Sequence, residues 1–496
     1  MEADPISFVI EALKSDLSIE FYALAYGLIE LIGIFLAIEA IRKARTSQGA
    51  IAWSLSLVTL PFFAILFYVA FGRSKFIGMA NFRRKSGQEI FPFLEELHAR
   101  SLEKNFILEE KYLSEEDLSF HHLAKLSWVK GNQTKLLKDG AQTFEAIFDA
   151  IDKASSYILI QFYIVREDDL GLKLKTKLKE AAHRGVKVYF IPDAIGCYQV
   201  SEGYWDELAA SGVDVHLFHV VERRSRRFQL NFRNHRKIVI VDGLTAFFGG
   251  HNIGDEYMGI HPVLSPWRDT HVQVWGPLIS SLQISFLEDW YFVRELQSVG
   301  ELPELNWDQS YYSENCTALL VPSGPADLLE TCGLMFVQAI HMAKERFWIA
   351  SPYFIPDGKI SSALILAALK GVDVRILLPN KPDHRMVYFA RRDFYEKLQN
   401  AGVKFYHYED GFLHQKVFLI DQSYAAVGTA NLDNRSFRLN FELTGLFKGP
   451  EMIGAIERML EEDFKKSSLL GPYALKNRPF WEQVVVKVCR LFSPIL

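Results

Sequence analysis

The chain has 496 residues, too many for one ordinary core, so two or three domains are expected. Apolar residues make up 49% and aromatics 14%, enough to fill large cores and still supply membrane segments. The 55 Lys and Arg against 60 Asp and Glu leave a net charge of −5, without the basic excess of a duplex-binding protein, and four widely spaced cysteines (Cys197, Cys316, Cys332, Cys489) argue against a disulfide framework or a Cys-x-x-Cys zinc site.

Two apolar segments come first. Residues 51–72 carry no ionisable side chain and are long enough to cross a hydrocarbon core as a helix, with Pro61 inside. Residues 21–41 form a second such segment, with Glu30 at its middle; a carboxylate there is expected to face a partner helix or to be protonated. Both are apolar around the whole helix, so a transmembrane hairpin over residues 1–75 is predicted. The acidic N-terminus speaks against a cleaved signal peptide. The basic cluster after the second span (Arg73, Lys75, Arg83, Arg84, Lys85) favours a cytoplasmic catalytic portion. Residues 76–130 read as a helical connector.

From there the sequence repeats itself. "AIDKASSYILIQFYIV", "LKEAAHRGVKVYFIPD", "YWDELAASGVDVHLF" and "NHRKIVIVD" are answered in the same order by "AIHMAKERFWIASPYFIP", "LILAALKGVDVRILLPN", "FYEKLQNAGVKFYHY" and "LHQKVFLID". Helical patterns end at Gly185, Gly212, Gly371 and Gly402 and β-rich runs follow, which predicts an α/β fold with a mostly parallel sheet in each of two repeats, 131–300 and 301–470, related by a pseudo-twofold. Residues 471–496 form a tail whose apolar stripe fits an interfacial amphipathic helix, and almost as well a helix packed on the catalytic domain.

The fourth element carries the chemistry. His235 and Lys237 are spaced to share a strand face, as are His414 and Lys416, and Asp242 and Asp421 close the two runs. Each aspartate is followed by a small-residue turn and an asparagine, Asn252 or Asn431. Composition alone allows about 0.04 chance occurrences of one H-x-K-x-x-x-x-D pattern. Two histidines, two lysines and two asparagines around one point make a cationic, donor-rich cup that suits a phosphate diester. One imidazole can attack phosphorus while the other serves as acid and then base, and the lysines and asparagines hold the non-bridging oxygens. This chemistry calls for no metal and no cofactor.

The signature H-x-K-x4-D-x6-G-[GS]-x-N, complete in the first copy and carrying Thr429 at the [GS] position in the second, resembles that of the phospholipase D superfamily. The flanking "GTANLDNRSFRLNFE" and "PWRDTHVQVWGP", the hairpin and the ending "RLFSPIL" resemble the bacterial cardiolipin synthases within it. The resemblance implies a multi-pass protein of the bacterial inner membrane that moves a phosphatidyl group between two phosphatidylglycerol molecules, giving cardiolipin and glycerol through a phosphohistidine. It implies His235 as nucleophile, His414 as acid/base, and Glu442 and Asp269 as carboxylates that orient the histidines. Asp242 and Asp421 are expected to satisfy local backbone or lysine groups. Gly250 stands where serine is usual, which removes a hydroxyl. A phospholipase D or another head-group transferase is the alternative; a nuclease-type enzyme is disfavoured by the hairpin and the acidic charge, so no nucleic-acid partner is expected. Association of identical chains stays open. Arg223, Arg224, Arg226, Arg227 and Arg233 form a basic stretch suited to anionic head groups or to a solvated loop. Tyr163 and Tyr353 match between the repeats and read as strand core.

Overall fold

The computed structural model describes residues 5–44, 46–72, 79, 93–218, 231–295 and 303–496, with residues 5–20 as backbone. The basic residues 73, 75, 83–85, 223, 224, 226 and 227 lie outside the described residues. Residues 1–76 with 220–231 form one unit, and 77–219 with 232–496 another.

In the first unit a helix runs Pro5–Lys43, and its portion Phe21–Lys43 is long and apolar enough to cross a membrane. The second apolar segment is not one helix. It divides into Ser47–Thr59 and Pro61–Phe71, with Leu60 out of helical conformation (φ −136°, ψ 55°). The cause is local: Pro61 has no N–H to give, its ring disfavours helix at the preceding residue, and it is itself well suited to begin one. The helices meet through small residues. Ala37, Ala40 and Ala64 pack with Leu57 and Tyr68, and a Cβ added at Gly33 would come within 2.5 Å of the Leu57 carbonyl oxygen. Glu30 does not face this seam; it is exposed.

The second unit is organised around one 16-stranded sheet. Its centre is the antiparallel pair Val129–Lys138 and Cys316–Ser323. Outward from Val129–Lys138 come Thr270–Trp275, Thr245–Gly249, Ile238–Val241, Tyr157–Phe162, Lys187–Pro192 and Val213–Val215. Outward from Cys316–Ser323 come Asn440–Phe447, Tyr424–Gly428, Val417–Ile420, Arg346–Ala350, Asp373–Pro379 and Lys404–Tyr408, with Ser467–Leu469 added at the edge. Seven strands of each half therefore recur in the same spatial order.

The sheets are not mostly parallel. Only the outer three strands of each half run parallel, and the inner ones pair antiparallel. Connection length explains this. The outer strands are joined through the helices Asp169–His183, Glu202–Ala210, Gly358–Leu369 and Arg385–Gln399, and parallel neighbours need such crossovers. The motif strands instead turn back tightly at Asp242-Gly243 and Asp421, where φ is positive. The glycine-ended helices occur as expected, with φ near +90° at Gly185 closing Asp169–His183. Each half has its own core, one around Val239 and Val241 and one around Phe418 and Ile420.

Candidate active site

The motif strands begin only after their lysines, at Ile238 and Val417, so His235, Lys237, His414 and Lys416 precede the strands on which they were expected. Before that point the chain pairs with the other repeat. Arg233–Asn234 runs parallel to Asn440–Phe441, and Phe412–Leu413 parallel to Trp267–Arg268. The His235 N–H donates to the Phe441 carbonyl at 2.9 Å, and the His414 N–H to the Arg268 carbonyl at 2.8 Å. The residues that follow these acceptors are Glu442 and Asp269.

This cross-pairing exchanges the carboxylates. Nδ1 of His235 lies 2.8 Å from Oε2 of Glu442, and Nδ1 of His414 lies 2.6 Å from Oδ2 of Asp269. Each histidine is thus oriented by the carboxylate of the opposite repeat. A carboxylate only accepts, so each Nδ1 carries the hydrogen and each Nε2 keeps a lone pair. Lys416 approaches both Nδ1 and the carbonyl oxygen of His414; with Nδ1 protonated, the carbonyl is the acceptor. Lys237 donates likewise to the His235 carbonyl at 2.6 Å.

Glu442 is held tightly. Thr429 donates to Oε2 at 2.5 Å, and Ser436 and Asn440 donate to Oε1 at 2.9 and 3.0 Å. Asp269 accepts from the Thr270 N–H at 2.8 Å, and the place of Thr429 is taken by Gly250. A Cβ added at Gly250 would come within 2.0 Å of Asp269 Oδ1. The missing side chain leaves room for the shorter carboxylate, which the missing hydroxyl alone did not reveal.

The site is dry. His235 and His414 are each 7% exposed, and Lys237 and Lys416 are buried. Burial, with the cations of Lys237 and Lys416, pulls His235 down to about 4 against the raising effect of Glu442. Burial and Lys416 pull His414 down to about 3 against Asp269. Burial lowers Lys416 to about 8 and Lys237 well below the usual lysine range. Although burial opposes ionisation, Lys416 and His414 hold the Asp269 carboxyl down, and His235 and Lys237 do so for Glu442. Both imidazoles are therefore neutral near pH 7. An entering anion would restore the protonation that burial disfavours.

Other predicted residues serve the scaffold. Asp242 accepts from the N–H groups of Ser155, Ser156 and Tyr157, all at 2.8 Å, and Asp421 accepts from Lys344, Glu345 and Arg346 in the same way. Asn252 accepts from Ile164 N–H and donates to the Tyr257 hydroxyl, so its amide is committed to the fold. Asn431 Oδ1 is buried without a partner among the described residues. Tyr163, expected in the strand core, stands edge-on to His235 with ring centroids 5.0 Å apart, and Lys237 Nζ lies 5.3 Å from its ring. Its counterpart Tyr353 bonds Asp383 instead. The matching repeat positions were the available signal, but they did not show which tyrosine turns inward. Trp267 and Tyr257 flank His414 with ring centroids at 5.2 and 6.0 Å. Among the described residues one group, Glu110, His121 and His122 on the connector, brings metal-ligand atoms within 4.8 Å of one another; it includes none of the motif residues.

A duplicated sheet in which each H-x-K run is preceded by a segment paired with the opposite repeat is a phospholipase-D-like fold. Phosphatidylserine synthase of Haemophilus influenzae shares it, with a TM-score of 0.59 at 14% identity over 77% of this chain and 100% of its own. The family described as "Cardiolipin synthase, PLD-like domain" matches residues 147–261 and 336–464. Proteins named cardiolipin synthase A from Pseudomonas putida and Pseudomonas fluorescens are 44% and 45% identical, covering 96% and 95% of this chain and 98% and 97% of theirs. The chain belongs to the cardiolipin synthase family.

Proposed function

We propose that this protein is a membrane phosphatidyltransferase that condenses two phosphatidylglycerol molecules into cardiolipin and glycerol. The reading is carried by two neutral, carboxylate-oriented imidazoles in one buried cup. His235 Nε2 attacks phosphorus, and the P–O bond to glycerol breaks. The glycerol oxygen takes its proton from His414, which the bound phosphodiester anion helps to hold protonated. The phosphatidyl group then rests on His235. The hydroxyl of a second phosphatidylglycerol gives its proton to His414 and displaces the imidazole, forming cardiolipin. Lys237, Lys416 and Asn431 hold the non-bridging oxygens of the pentacovalent transition state. Asp269 and Glu442 fix each ring in one tautomer. Burial of the cup favours transfer over hydrolysis because water competes with the second lipid.

The test is to give the full-length protein phosphatidylglycerol in vesicles and separate the products. Cardiolipin and glycerol are expected; phosphatidic acid as the sole lipid product would replace this reading by a phospholipase D. His414→Ala should trap labelled phosphatidyl group on the protein. A trapped adduct in His235→Ala instead would move the nucleophile to His414.

A further inference from the structure

We propose that the helix Phe480–Leu491 is a second membrane contact, which lays its outer face on an anionic bilayer and receives a lipid phosphate in the cavity beneath it. This goes beyond the transfer reaction and does not depend on it.

The inner face of the helix belongs to the catalytic unit. Val486 is fully buried in the core of the second repeat. Glu482 accepts from Arg392 at 2.5 Å, and Lys487 and Arg490 both pair with Asp393 on helix Arg385–Gln399. The outer face has no such cover. Phe480, Trp481, Val484, Val488 and Leu491 are 81%, 61%, 43%, 48% and 77% exposed. Trp481, Val484, Val488 and Leu491 follow at intervals of three and four residues and Phe480 lies one turn before Val484, which puts all five along one stripe. Isolated apolar residues on a surface are ordinary, but five aligned on one short helix make a patch that a soluble surface rarely keeps.

Three features favour a bilayer as the occupant. The chain carries a helix, Phe21–Lys43, long and apolar enough to cross a membrane, and such a crossing would bring a bilayer to the protein. Aromatic residues at one end and cations along the flank of an apolar stripe are the composition of an interfacial helix. A cavity of about 480 Å³ also opens between this helix, helix Arg385–Gln399 and the start of Gly358–Leu369. Its wall holds four cations, Lys397, Arg438, Lys487 and Arg490, against two carboxylates, Asp357 and Asp393; Arg438 pairs with Asp357 and with Glu330 behind it, and Lys487 and Arg490 share Asp393, which leaves an excess of one positive charge. The excess positive charge suits the phosphate of a lipid whose acyl chains continue into the layer contacted by the stripe. The terminal turn links this surface to the second motif. The Arg435 N–H donates to the Leu496 carbonyl at 3.0 Å and its guanidinium to the Ile495 carbonyl at 3.2 Å, four residues after Asn431.

The experiment places a nitroxide at Val488→Cys in a Cys489→Ser background of the full-length protein, since the other cysteines are buried. The protein is reconstituted in phosphatidylcholine vesicles with or without phosphatidylglycerol. The readout compares relaxation of the label by oxygen, which concentrates in the bilayer, and by a water-soluble nickel chelate. With phosphatidylglycerol, oxygen is expected to dominate. Without it, or with Lys397→Gln and Lys487→Gln together, the balance should shift toward nickel. A label relaxed mainly by nickel in every vesicle overturns bilayer contact. Loss of both effects with rising protein density overturns it in favour of a second copy of the chain. Oxygen dominance indifferent to phosphatidylglycerol and to the double variant overturns the phosphate site. A label at exposed Glu207 in the first repeat should stay nickel-relaxed throughout.

Discussion

Glu442 and Gly250 show how little freedom the paired imidazoles have. Glu442→Gln keeps volume but can present its NH2 to Nδ1 of His235, which favours the wrong tautomer. Phosphatidyl transfer should fall by roughly 10²–10⁴-fold, with the melting temperature lowered far less than by loss of a core side chain. Single-turnover kinetics beside thermal unfolding would check this, and full activity in the variant would remove Glu442 from the mechanism. Gly250→Ala should weaken the reaction for a different reason. Its Cβ would push Asp269 away from His414, which loses its orientation while His235 keeps Glu442. The expected signature is a lowered turnover in which the phosphatidyl-enzyme both forms and resolves more slowly, because the proposed acid/base group of both steps is the one disturbed. Thr429→Ala, which makes the second turn resemble the first, should be milder because Ser436 and Asn440 still hold Glu442.

The joints between elements explain the aspartate of each motif. Asp242 and Asp421 stand at positive φ, 54° and 50°, and each gathers three consecutive N–H groups that begin a strand of the same repeat, Tyr157–Phe162 or Arg346–Ala350. They hold a turn against a helix end and do not touch the histidines. Asp242→Ala should therefore cost about 3 kcal/mol of stability, as a charged acceptor and a tolerated left-handed residue are lost together. The fraction that remains folded should keep its turnover, so a variant with native melting temperature and no activity would contradict this assignment. The alternation of helix and strand was plain in the sequence because Gly185, Gly212, Gly371 and Gly402 punctuate it. It covers only the outer strands, however, and the inner antiparallel ones lie between long-range partners that no local pattern names. The break at Leu60 was foreshadowed by Pro61, but a window of apolar residues hides it.

Considered as one molecule, the catalytic unit stores several imidazoles that folding keeps neutral. Burial lowers His235 to about 4, His414 to about 3 and His407 to about 4, and lowers His251 and His271 as well. In the unfolded chain each titrates near 6.5. Above that pH neither state binds the proton and stability is unaffected. As pH falls from 6.5 toward 4 the unfolded chain takes up protons that the folded one refuses, so stability drops. Asp193 and Asp433, held up to about 6 by burial, and Asp463, raised by burial as well, work in the opposite sense over part of this range, but three carboxyls oppose five histidines. The melting temperature in detergent should fall between pH 7 and pH 5, and a flat profile would show that the histidines are hydrated.

The two H-x-K runs, their equal offsets to Asn252 and Asn431 and the repeated order of elements are local facts. Residue spacing along a chain is enough to establish them, and from them follows the expectation of phosphodiester chemistry and of a pseudo-twofold. Which carboxylate serves which histidine is not local. His235 reaches Glu442 across 207 positions and His414 reaches Asp269 across 145. That exchange exists only because each motif pairs with the opposite repeat before entering its own sheet, and strand pairing is settled by packing between distant segments. The inward turn of Tyr163, the commitment of Asn252 to the fold and the apolar outer stripe of the last helix are decided by the same kind of contact, between neighbours that the linear order keeps apart.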